Sequence, residues 1–128
     1  MRLMSKLQVF EKQQYLNLET FRKSGQGVKT PVWFVQDGET LFVWTEATSG
    51  KAKRVRNNGQ VNVAPSRGDG AVLGEWVLAT ASRDDSPEAQ QHVRGLMAKK
   101  YGLAFQLFSL LGKFRKANYT TLKVTPAN

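Results

Sequence analysis

Residues 30–56 read TPVWFVQDGETLFVWTEATSGKAKRVR, and their order decides how the rest of the chain is interpreted. Two apolar, β-prone runs flank Asp37-Gly38, a strong two-residue hairpin signal. Directly after the second run come the hydroxyls of Thr45, Thr48 and Ser49, then Lys51, Lys53, Arg54 and Arg56. Hydroxyls and cations converging beside an apolar wall suit a ligand that carries a phosphate. Ser49 to Asn58 reads as a short helix capped by Thr48 or Ser49, with Asn57-Asn58-Gly59 as a left-handed end. Lys51 and Lys53 then oppose the helix dipole by roughly 0.3–1 kcal/mol each. A bound anion reverses that sign and receives the free backbone N–H groups of the first turn. The same run also fits a solvated basic helix that binds nothing.

Working outward, residues 4–12 predict a short amphipathic helix and 15–22 a first strand, followed by the turn Lys23-Ser24-Gly25-Gln26-Gly27. Val28 to Val35 is a second strand. Pro31 within it marks an edge, a bulge or an interrupted ladder. Leu41 to Thr45 is a third, Val61 to Pro65 a fourth, and Ala71 to Ser82 a fifth or a bent pair broken near Gly74. Asp84-Asp85-Ser86-Pro87-Glu88 starts a helix, with Asp85 or Ser86 as cap and Pro87 at its first position. It ends near Tyr101-Gly102; a second helix spans about 103–114, and Tyr119 to Val124 alternates as a closing strand. Five or six strands with late helices indicate a mainly β, α+β architecture built on an antiparallel barrel. The 128 residues make a single domain, 1–128.

Composition excludes several classes. There is no cysteine and only one histidine, His92, so thiol chemistry, disulfides and multi-histidine metal sites are absent. No apolar run approaches the roughly 20 residues that span a bilayer. That predicts no membrane partner, and the lack of a signal-peptide pattern at the N-terminus predicts a cytoplasmic protein. The net charge is +9, and no acidic residue follows Glu88. Such a field attracts anions. Trp33, Trp44 and Trp76 lie in strands, where aromatic residues generally pack; Trp33 and Phe34 point to opposite faces. His92 reads as a surface residue, Tyr101 as a packing residue, and Arg67 and Asp69 as loop residues near a substrate entrance.

YLNLETFRKSG at 15–25, TPVWFV at 30–35, LFVWTEATSGKAKRVRNN at 41–58, VNVAP at 61–65 and KKYGL at 99–103 together resemble the split-barrel flavin and deazaflavin oxidoreductases, the superfamily that includes pyridoxamine 5'-phosphate oxidase. The nearest likeness is to its small branch dependent on coenzyme F420. The resemblance implies a six-stranded antiparallel split β-barrel of the FMN-binding type. It also implies a homodimer with cofactor at the interface and hydride transfer between F420 or FMN and a small-molecule substrate. Carried over by position, it implies that Thr30, Pro31, Val32 and Trp33 lie along the cofactor ring and that Trp44 and Thr45 end the strand beneath ring and phosphate. Ser49 and Lys51 then bind the phosphate, joined by Lys53 and Arg54. Gly50 stands where the oxidase carries Arg, and the oxidase's long substrate-binding C-terminal segment has no counterpart; both argue against that particular activity. Lys99, Lys100, Lys113, Arg115 and Lys116 are candidates for the polyglutamate tail of F420.

Two readings compete with hydride transfer. One is a protein of this fold that sequesters a flavin or tetrapyrrole without turnover. The other is nucleic-acid binding by the basic surface. The aromatic residues lie in the apolar strands and the 103–114 helix rather than within the 49–56 basic run, which argues against nucleic acid.

Overall fold

The structure is a computed structural model that describes residues 7–114 and 118–127. Six antiparallel strands close a barrel: β1 (Tyr15–Phe21), β2 (Gly27–Asp37), β3 (Thr40–Glu46), β4 (Gln60–Ser66), β5 (Val77–Asp84) and β6 (Tyr119–Pro126), joined in the order β1-β2-β3-β6-β5-β4. Three helices decorate it: α1 (Gly50–Asn57) between β3 and β4, then α2 (Pro87–Tyr101) and α3 (Leu103–Phe114) between β5 and β6. The expected α+β split barrel is therefore the fold observed.

Strand alternation sorts the side chains. Leu16, Leu18, Val32, Phe34, Leu41, Val43, Val61, Val63, Leu122 and Val124 point inward and are buried in one core. The opposite faces of β2 and β3 carry Trp33, Val35, Phe42 and Trp44, which pack against Val93, Met97 and Tyr101 of α2 and Phe105 of α3. α2 and α3 therefore cover one outer wall of the barrel, while α1 adds Val55 to the inner core.

The β2–β3 hairpin is shifted by one residue from the sequence expectation. Asp37 pairs with Thr40, so the two-residue loop is Gly38-Glu39, with Gly38 at φ 61° in its first position. That position needs positive φ in a type II′ turn, which glycine supplies without strain. α1 is capped by Ser49, whose Oγ accepts the Ala52 N–H at 3.3 Å. Its end is not left-handed as Asn57-Asn58-Gly59 predicts: Asn58 is extended at φ −147°, and its side-chain oxygen takes the Gln60 N–H at 3.0 Å. The side-chain turn replaces the backbone one. Ala71–Gly74 is not strand but makes a single bridge, Val72 to Ser66, before β5 begins at Val77. Of the helix expected over 4–12, a 3₁₀ turn at Gln8–Phe10 is present; residues 4–6 lie outside those described. The α2 start follows the expected pattern, with the Ser86 side chain capping Ala89 N–H and Pro87 at the first turn.

Phe34 joins the barrel to α2. The β1–β2 ladder ends at Tyr15↔Trp33. One step beyond, the Phe34 N–H donates to the Tyr101 hydroxyl at 3.0 Å, and that hydroxyl lies in donor range of the Gln14 carbonyl at 2.7 Å and the Phe34 carbonyl at 2.8 Å. Lys100 Nζ donates to the Phe34 carbonyl at 2.9 Å and sits 3.7 Å over its ring. Burial raises the Tyr101 pKa, a shift that the hydrogen bond from Phe34 partly opposes.

Tyr101→Phe should keep the fold but strand the Phe34 N–H, lowering stability by about 1–3 kcal/mol in urea unfolding, with the m-value unchanged. Burial lowers the Lys100 pKa from 10.5 to about 8. With the folded value below the unfolded one, the burial penalty is present at neutral pH and relieved as pH rises through about 8. Stability should therefore increase with pH between about 8 and 10.5, and this slope should be lost in Lys100→Met.

Candidate functional site

β2 and β3 part midway. Their ladder runs from Asp37↔Thr40 to Phe34↔Val43 and stops, although β2 continues back to Gly27 and β3 on to Glu46. Over Gly27–Trp33, the only ladder partner of β2 among the described residues is β1. Backbone polar groups of successive residues in an antiparallel strand face alternate neighbours. Those of Phe34 face the end of β1, so those of Lys29, Pro31 and Trp33 face the open seam. This explains Pro31: its missing N–H falls where no ladder bond is made. The seam presents the Trp33 N–H and the carbonyls of Lys29, Pro31 and Trp33 along a strand edge.

At the far end of β3 the hydroxyls and cations gather. Thr45 is buried and points inward, its Oγ1 3.3 Å from Ser49 Oγ. Ser49 caps α1, so the free N–H groups of the first turn lie beside that hydroxyl pair. Lys51 is half-buried in the same turn; burial lowers its pKa, Arg54 lowers it further, and Glu46 partly offsets both. Arg54 folds back over the turn. Its Nε donates to Thr20 Oγ1 at 2.6 Å, and its Nη1 lies 2.7 Å from where a side chain at Gly50 would begin. Burial and repulsion from Arg22 lower its pKa. Two cations held close to one another and partly out of water favour an anion between them.

Of the ten residues expected from the sequence, the fold gathers Thr45, Ser49, Lys51 and Arg54 into this cluster and sets Thr30, Pro31, Val32 and Trp33 on the open stretch of β2. Val32 points into the core, while Trp33 points outward and stacks on Tyr101 at 4.4 Å and 8°. Trp44 is also on the outer face, stacked on Tyr119 at 5.3 Å and 13°. Lys53 is exposed on α1.

Beside the Trp44–Tyr119 stack lies a cavity of about 880 Å³ between the barrel wall, α2 and α3, with Arg83, Arg94 and Lys113 among its lining residues. Lys113 thus joins a concave site. Lys99 is exposed, Lys100 is committed to Phe34, and Arg115 and Lys116 lie outside the described residues. Arg67 and Asp69 form an exposed pair at 3.4 Å and line neither this cavity nor a second of about 610 Å³ bordered by Phe10, Phe34 and Lys100. His92 is exposed and bonded to Asp37 at 2.9 Å. Thr20, Arg83 and Tyr119 were not legible as site residues, because each acquires its place through contacts distant in the chain.

Neither protein-family models nor curated proteins match this sequence. Solved structures do match. HutZ, the heme storage protein from Vibrio cholerae, superposes with a TM-score of 0.73 at 20% identity, covering 100% of this chain and 92% of that one. A putative pyridoxamine 5'-phosphate oxidase from Listeria innocua gives 0.67 at 16% identity, covering 95% and 90%. An F420 reductase gives 0.66 at 16% identity, covering 99% and 97%. At these identities the likeness is one of fold, and the chain has the split-barrel fold of the pyridoxamine 5'-phosphate oxidase-like proteins.

Ser49→Ala removes the α1 cap and the Thr45 contact together. It should cost about 1 kcal/mol in thermal or urea unfolding without any ligand; a loss of a few tenths or less would mean that the cap bond contributes little.

Proposed function

We propose that this protein is an oxidoreductase that moves a hydride between coenzyme F420, or FMN, and a small organic molecule. The observation that carries the reading is the half-buried Lys51, placed with Arg54 and the Thr45 and Ser49 hydroxyls at one end of an open strand seam. The residues fit such a cofactor. Ser49, Lys51, Arg54 and Thr45 would hold its phosphate, with Lys53 adding charge nearby. The backbone of Thr30–Trp33 offers donors and acceptors to the edge of a flavin-type ring, and Trp44 closes the strand below. When bound, the cofactor supplies the hydride chemistry; the chain binds, orients and shields it. Arg94 and Lys113 in the large cavity favour a polyanionic ligand such as F420 over FMN. Two copies would pair to complete the sites at their interface.

Binding of a flavin or tetrapyrrole without turnover is the second reading. What favours it is the lack, among the described residues, of an evident proton donor at the seam. The Tyr101 hydroxyl is bonded to Phe34 with its pKa raised, and His92 is paired with Asp37 on the surface. Single-turnover oxidation of the reduced cofactor by added acceptors separates the two readings.

Fluorescence titration with FMN and with F420 should show binding, tighter for F420. Lys51→Ala should weaken it by roughly 1.5–3 kcal/mol, or about ten- to 150-fold, with an unchanged circular dichroism spectrum. Unchanged affinity in Lys51→Ala would remove the phosphate from this site.

A further inference from the structure

α3 is apolar on two sides. Phe105 is buried, Phe108 packs at 5.8 Å from Trp33 and 6.1 Å from Tyr119, and Gly112 lies against the Tyr119 ring. That stripe is the packed side. Leu103, Leu107, Leu110 and Leu111 form a second stripe at helical spacing, and they are 76%, 63%, 51% and 62% exposed. A helix apolar on both sides is ordinarily covered on both. Charge decides what covers this one. Lys113 stands one turn from Leu110, the exposed Lys99 lies in the last turn of α2, and Arg115-Lys116 follow in the sequence. No acidic residue occurs anywhere in 89–128. A second copy laid stripe to stripe would oppose two sets of cations with no anion between them. An anionic lipid surface offers hydrocarbon and negative charge in one plane.

We propose that the exposed face of α3 docks this protein on anionic membranes. The helix lies in the interface and does not cross it: its twelve residues span about 18 Å, against roughly 30 Å of hydrocarbon. No described helix is long and apolar enough to cross a membrane. The sequence expectation of no membrane partner rested on that criterion, and lying on a surface does not require meeting it. The leucines enter the headgroup boundary, and the lysines meet the phosphates at its rim. Leu103, Leu107 and Leu111 lie outside the cavity assigned to the cofactor, while Leu110 and Lys113 also line it.

The test is co-sedimentation of the full chain with phosphatidylcholine vesicles and with vesicles that also contain phosphatidylglycerol. The protein should bind the second kind alone, and high salt should release it. Leu107→Glu with Leu111→Glu should reduce the bound fraction on the order of tenfold. Both positions are exposed, so the melting temperature and cofactor titration of the double variant should match the parent. Absence of sedimentation, equal sedimentation on both vesicle types, or a double variant that still binds would overturn the proposal. So would a dimer seen by analytical ultracentrifugation without lipid that the double variant abolishes, since a second copy would then occupy the face.

Discussion

The backbone of Phe34 is the point on which this barrel turns. At that residue β2 leaves β1, meets β3 and receives the end of α2 through the Tyr101 hydroxyl and the Lys100 amine. A buried strand end must satisfy its polar groups or lose stability. Here the satisfaction comes from a helix rather than from a further strand residue. This ties the outer helical layer to the same residue whose ring fills the core. The β2–β3 ladder stops at the same residue, and the seam opens there. A longer ladder would seal the strand edge that a planar ligand needs; a shorter one would leave the hairpin loosely held.

The cationic cluster is shaped by opposition. Burial disfavours the charge on Lys51 and on Arg54, and repulsion from Arg54 and from Arg22, respectively, adds to it. Glu46 partly offsets this at Lys51, and Thr20 takes one guanidinium hydrogen bond from Arg54. A site arranged in this way is preorganised: the work of bringing like charges together is done during folding, and an arriving anion gains from it.

Much of this was legible in the chain. The α1 cap at Ser49 and the Ser86-Pro87 start of α2 follow local rules, because a cap needs only a side chain three residues from its target. Pro31 marked an edge, a bulge or an interrupted ladder, and the β2–β3 ladder stops short of it. The failures were of two kinds. Where two local solutions compete, as at Asn58 with its Asx-type bond and at the one-residue shift of the hairpin loop, pattern alone does not choose. Where a contact joins residues far apart, as Thr20 to Arg54, Trp44 to Tyr119 or Phe34 to Tyr101, no spacing in the sequence encodes it. The apolar positions of α3 were visible as a helical pattern, but their division into a packed and a bare side is a tertiary property.

Residue 50 shows how a linear comparison can mislead. By the resemblance, Gly50 is expected to lack an arginine that the oxidase carries. In the folded chain a guanidinium nevertheless rests against that position, delivered by Arg54 one helical turn later, and it can lie there because glycine leaves the space open. Charge at this corner is thus a property of the place rather than of one sequence position, and a side chain added at 50 would make the guanidinium end of Arg54 shift aside.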